Sequence, residues 1–222
     1  MTTQHEILSP VPLLDENGNL TEPGYAKKLL PVYRRSDIRA SALRIKEWDY
    51  YLVNNGRFAL ALTVADNGYM GMDSISLLDF TEGWEITTSP MSVLPMGKIR
   101  MPETSVKGTV DRRAKGLSMF FDTPGDGTRT LRCHMDKFGP EGALDCEILL
   151  TEEPEESMVI CTPFPKNAHF YYNQKINCMR ASGSITFDGK TYTQTRRIKS
   201  YRTDFDLLDG LNNLSRFICA KK

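Results

Sequence analysis

The chain has 222 residues, 40% of them hydrophobic and 25% charged, which is enough apolar material for a core and excludes global disorder. Lys plus Arg equals Asp plus Glu at 28 each, and this zero net charge excludes the long-range field that gathers nucleic acid or anionic lipid. No apolar run nears the roughly 18 residues that a membrane-spanning helix needs, so no transmembrane segment is expected.

The first ten residues have neither a basic region nor an apolar stretch of the kind that marks a secretory signal. The cysteines Cys133, Cys146, Cys161, Cys178 and Cys219 are odd in number, and no pair has zinc-site spacing. Reduced thiols in a cytoplasmic protein are therefore expected.

Residues 1–42 read as a capping segment. Pro10, Pro12, Pro23 and Pro31 forbid a long helix, Asp15 to Asn19 is a turn cluster, and Ser36-Asp37 suits one short helical turn.

From Leu43 the apolar period becomes two, and residues 43–194 are expected to form an antiparallel β domain. Strands over 43–53 and 57–65 flank Asn54-Asn55-Gly56. A three-residue loop with a bulged Gly sets Leu52 opposite Phe58, Tyr50 opposite Leu60 and Trp48 opposite Leu62. Trp48 and Tyr50 then become core aromatics, and Glu47, Asp49 and Tyr51 face outward.

Further strands are predicted over 69–80, 84–88, 107–111, 117–122, 158–162 and 169–179. Met91, Met96 and Met101, interrupted by prolines, form either an ordinary connection or a pliable apolar lid over the sheet. A second hairpin sets Met135 opposite Leu144, Cys133 opposite Cys146 and Leu131 opposite Ile148. Its two cysteines are core neighbours, and a disulfide between them requires an oxidising compartment. His134, between Arg132 and Asp136, belongs to a surface charge cluster. A third hairpin turns at Asp188-Gly189.

Many short strands with no long helical pattern between them predict an all-β barrel or sandwich. Residues 195–222 differ. Leu207, Leu208, Leu211, Leu214 and Ile218 recur at helical spacing, so this divergent tail is expected to be a short C-terminal helix, weakened by Gly210, or else poorly ordered. The basic stretch from Arg196 to Arg202 is too short to argue for nucleic-acid binding.

The candidate site is the strand from His169 to Met179. One face carries His169, Tyr171, Asn173, Lys175 and Asn177; the other carries Phe170, Tyr172, Gln174, Ile176 and Cys178. If the first row points into a barrel, it lines a ligand cavity with a few polar groups, and His169, Tyr171 or Lys175 can move protons. The alternative is a solvated outer face with the Phe170 face in the core. Nucleophile elbows, phosphate loops and zinc-protease motifs are all missing. Three histidines make a multi-histidine metal site improbable, and no cofactor is expected.

Four blocks occur in order: Leu13-Leu14-Asp15-Glu16-Asn17-Gly18, Ile45-Lys46-Glu47-Trp48-Asp49-Tyr50-Tyr51, Thr162-Pro163-Phe164, and His169 through Asn177 followed by Ala181-Ser182-Gly183. Together they resemble the bacterial family called domain of unknown function 2804, over roughly residues 8 to 193. That family is similar, more distantly, to lipocalin-like proteins that include carotenoid hydratases. The resemblance implies a calycin-like β architecture with an internal cavity for a hydrophobic molecule, and it implies no catalytic residue.

The resemblance implies a second β portion beyond the Asp-Gly hairpin, so a C-terminally truncated or frameshifted chain is expected, with a natural short variant as the alternative. It would have open sheet edges and a tendency to self-associate. Binding of a hydrophobic small molecule is the leading expectation. A hydratase- or isomerase-type enzyme on an apolar unsaturated substrate, and an inactive fragment, are the alternatives.

Overall fold

The computed structural model describes residues 4–140, 142–195 and 213–220; residues 194, 195 and 213–220 are described by backbone alone. In chain order the strands begin with β1 (Val11–Pro12), β2 (Gly24–Ala26) and β3 (Pro31–Val32). A single 3-10 turn over Arg35–Asp37 follows, with no side-chain cap. Next come β4 (Ile45–Asn54), β5 (Phe58–Asp66), β6 (Met70–Asp79), β7 (Trp84–Thr88) and β8 (Met91–Val93). The second half carries β9 (Gly108–Ala114), β10 (Leu117–Thr123), β11 (Arg129–Met135), β12 (Leu144–Thr151), β13 (Met158–Pro163), β14 (Phe170–Asn177), β15 (Arg180–Phe187), β16 (Lys190–Thr195) and β17 (Asn213–Ala220).

Apart from the short parallel pair β1–β3, the strands pair antiparallel. They form a six-stranded sheet, β16-β15-β12-β11-β10-β9, and a nine-stranded sheet, β2-β13-β14-β17-β4-β5-β6-β7, with β8 also pairing β6. Neither sheet closes into a barrel, so the barrel form of the expected all-β fold is corrected to two open sheets.

Alternation decides how the sheets pack. Leu60, Leu62, Ile75 and Leu77 of the larger sheet meet Met119, Phe121, Leu131 and Ile148 of the smaller one in a single buried cluster. Each fully buried side chain of this size contributes about 1.5–3 kcal/mol. The remaining inner face of the nine-stranded sheet, with Ile45, Val159, Phe170 and Tyr172, is covered by Ile7, Leu13, Leu14, Tyr33 and Ile38 of the N-terminal segment.

Two hairpins adopt the expected registers. Met135 pairs with Leu144, Cys133 with Cys146 and Leu131 with Ile148. Phe187 pairs with Lys190 across Asp188-Gly189, both at positive φ, as a type I′ turn requires.

The first hairpin is corrected. Tyr51 pairs with Leu62, Val53 with Leu60 and Asn54 with Ala59. The turn is Gly56-Arg57, with Gly56 at φ 82; the Asn55 amide donates to the Phe58 carbonyl at 3.1 Å, and Asn55 Oδ1 accepts from the Arg57 and Phe58 amides at 3.0 Å. A two-residue turn in place of a three-residue one shifts the pairing by an odd number, and an odd shift exchanges the faces. Tyr51 and Val53 are therefore core, and Trp48, Tyr50 and Leu52 are half-buried on the outer face.

The C-terminal helix is also corrected. Residues 213–220 form β17, inserted between β4 and β14 over eight paired positions on each side; the part of that expectation at Leu207, Leu208 and Leu211 lies outside the described residues. Leu214 and Ile218 satisfy a period of two as well as four, and two flanking strand edges offer a full backbone ladder that an isolated helix lacks.

Among the described residues no helix is long and apolar enough to cross a membrane.

Candidate functional site

The strand β14 sorts its side chains as alternation requires. Phe170, Tyr172, Gln174 and Ile176 are buried on the inner face. Tyr171, Asn173, Lys175 and Asn177 lie on the outer face, and His169 just precedes the strand. The Phe170 face is thus the core, and the row looks away from the smaller sheet.

That outer face differs from an ordinary solvated one in one respect. Asn173 is only 1% exposed. Its Nδ2 donates to the Tyr171 hydroxyl at 2.7 Å, and its Oδ1 has no partner among the described residues. Asn177 Oδ1 is in the same condition. A buried acceptor left unmatched costs about 1–3 kcal/mol. His169, Tyr171 and Lys175 are half-buried.

Register joins further residues to this face. Asn173 pairs through residue 217 of β17 with Trp48, and Lys175 through residue 215 with Tyr50. Two strand spacings, about 10 Å, separate β14 from β4. Burial lifts the Tyr50 phenol pKa above its ordinary value. On the other side of β14, Ile160 pairs with Asn173 and Met158 with Lys175. The face combines aromatic rings, aliphatic side chains and a buried amide.

The interior offers less room. A cavity of about 20 Å³ lies between the sheets, lined by Asp49, Tyr51, Ser105, Val110, Phe121 and Thr123. It has space for about one water molecule and none for an organic ligand. Beside it Ser105 donates to Gln174, and Gln174 donates to Ser157 at 2.9 Å. Arg129, fully buried, donates to Glu153 at 3.1 and 3.2 Å and to the Ser105 carbonyl at 3.3 Å.

A second surface is larger. An open hollow of about 550 Å³ lies on the outer face of the six-stranded sheet, lined by Phe120, Arg132, His134, Asp145, Glu147 and Thr186 among others. Its charges satisfy one another: Arg132 donates to Glu147 at 2.9 Å, and His134 contacts Asp145 at 2.7 Å and Asp136 at 2.8 Å. The hydrogen bonds to Asp136 and then Asp145 raise the His134 pKa. The expected surface charge cluster around His134 is present, and its pairing leaves little field for a charged ligand.

Sequence reasoning missed Trp48 and Tyr50 as members of the outer face, having placed them in the core. The signal that carried the correction is the turn: Gly56 suits the first central position of a two-residue turn as well as the bulge of a longer one. The methionine segment is half sheet. Met91 lies on β8 and is exposed, as is Met96, whereas Met101 is buried.

No curated protein and no solved structure matches the chain. A family model described as a domain of unknown function (DUF2804) matches residues 4–209, which takes in both sheets as far as β16 and all four blocks quoted above. The chain belongs to the domain of unknown function 2804 family.

Proposed function

We propose that this protein is a binding module for a small, largely apolar molecule that carries at least one hydrogen-bond donor. The ligand lies on the outer face of the nine-stranded sheet, across Trp48, Tyr50, Tyr171, Asn173 and Lys175, with His169 and Asn177 at the ends of the row. This replaces the interior of a barrel with an open sheet face.

The observation that carries the reading is Asn173 Oδ1, buried and without a partner among the described residues, on the same face as two half-buried aromatic rings. A ligand donor satisfies that acceptor once the side chains that cover Asn173 move aside, and the rings and Met158 supply apolar contact. The 20 Å³ interior cavity argues against an enclosed ligand.

Denaturing extraction of the purified chain followed by mass spectrometry identifies a co-purifying molecule. With that molecule in hand, Trp48→Ala weakens binding by about tenfold or more, a loss of at least roughly 1.4 kcal/mol. Asn173→Ala also weakens it, and Leu52→Ala leaves it nearly unchanged. An unaltered Kd for both Trp48→Ala and Asn173→Ala overturns the assignment. Lys175→Met and Tyr171→Phe separate binding from turnover, since loss of turnover with retained ligand points to an enzyme.

A further inference from the structure

Cys133 and Cys146 stand directly opposite each other at the centre of the β11–β12 hairpin. Both are free thiols, 4% and 7% exposed, and their sulfurs lie 2.9 Å apart. Directly opposed residues of an antiparallel pair have Cα atoms about 4.5–5.5 Å apart, inside the range of about 4.4–6.8 Å that a disulfide accepts. A bonded pair sits at about 2.05 Å, so closure asks each sulfur to move by roughly half an ångström. The pairing therefore meets the Cα spacing that a disulfide requires.

The surroundings slow attack by either sulfur. Met119 flanks Cys133 on β10, and Ile185 flanks Cys146 on β15. The hydrogen bond with Cys146, followed by burial, raises the Cys133 pKa well above its ordinary value. Such a thiol is inert to bulky reagents at neutral pH. Yet Cys133 and Cys146 also contribute to the floor of the charged hollow, so a single layer of sheet separates them from solvent.

We propose that Cys133 and Cys146 are a reversible modification site, a dithiol that a hydroperoxide closes into a cross-strand disulfide. One sulfur, as thiolate, attacks a peroxide oxygen; the S–O bond forms, the O–O bond breaks, and the departing hydroxide leaves as water with the thiol proton. The second sulfur then attacks the sulfenic sulfur; the S–S bond forms, the S–O bond breaks, and a second water leaves. Two thiols lose two electrons and two protons, and one hydrogen peroxide becomes two waters. The bond staples β11 to β12 beneath the hollow.

The test uses the full chain, folded, with hydrogen peroxide as the probe. After reaction the sample is acid-quenched, denatured, alkylated with N-ethylmaleimide, digested and analysed by mass spectrometry. The expected product is a linked peptide joining residues 133 and 146, two hydrogens lighter than the sum of its parts and restored by dithiothreitol. It forms more than about tenfold faster at pH 8.5 than at pH 7, because the thiolate fraction rises steeply below the thiol pKa, and Cys178→Ser, at an exposed position, forms it equally well. Recovery of both residues as maleimide adducts while Cys178 is oxidised overturns the proposal. So does linkage of either residue to another cysteine, or linkage that appears only in urea.

Discussion

His134 shows how far a single surface side chain acts. Its pKa is raised by the carboxylates of Asp136, just past the end of its own strand, and of Asp145 on β12. A raised folded pKa means that the folded state binds the proton more tightly than the unfolded chain. The stabilisation is therefore complete below the unfolded value of about 6.5 and is lost as pH rises through the folded value. His134 is 40% exposed, so solvent screening limits the effect to under about 1 kcal/mol. His134→Asn is expected to lower the urea midpoint at pH 5.5 and to match the parent at pH 8.5. An equal loss at both pH values would point to packing instead.

Strand pairing makes the strictest demands on single glycines. Gly183 on β15 has φ 137 and faces Ile148 on β12; an added Cβ would lie 2.1 Å from the Glu147 carbonyl oxygen and 2.9 Å from the Ile148 Cα. The obstacle is backbone, which cannot step aside without breaking the β12–β15 ladder. Gly183→Ala is expected to cost roughly 3 kcal/mol in chemical denaturation. Gly56, at φ 82 with open space around it, carries only the backbone penalty, and Gly56→Ala costs about 1 kcal/mol. The two turns show what was legible in sequence. Asp188-Gly189 specifies one short turn, and its register follows. Asn54-Asn55-Gly56-Arg57 is compatible with two loop lengths, and the choice depends on which face of β4 finds partners. Glu47 finds Arg35 and the Tyr33 hydroxyl, the latter at 2.6 Å, and both lie in the distant N-terminal segment.

Between the sheets, an ion pair lies at the border of the apolar core. Arg112 on β9 donates to Asp73 on β6 through two hydrogen bonds of 3.0 and 2.8 Å. Asp73 is 4% exposed, and the pairing raises the Arg112 pKa. Removing one partner leaves the other charge buried in the sheet interface. Arg112→Met is expected to destabilise the protein by roughly 3 kcal/mol, and Arg112→Met with Asp73→Leu to recover much of that loss, measured by urea unfolding. A double variant as unstable as the single one would show that the pair contributes more than mutual compensation.

What the sequence determined by itself is the local grammar: an all-β chain, the β11–β12 and β15–β16 registers, the alternation that puts Tyr171, Asn173 and Lys175 on one side of β14, and the four blocks of its family. These depend on side-chain period and on turn residues, which act over a few positions. Tertiary structure decided the direction of each face. The sheets stay open, β17 enters between β4 and β14, and the N-terminal segment covers the Phe170 side; these choices turn the row of β14 outward and set Trp48 and Tyr50 on the same face, two strands away. Burial depends on partners brought from far along the chain, and a period of two names the two faces of a strand without saying which of them those partners will cover.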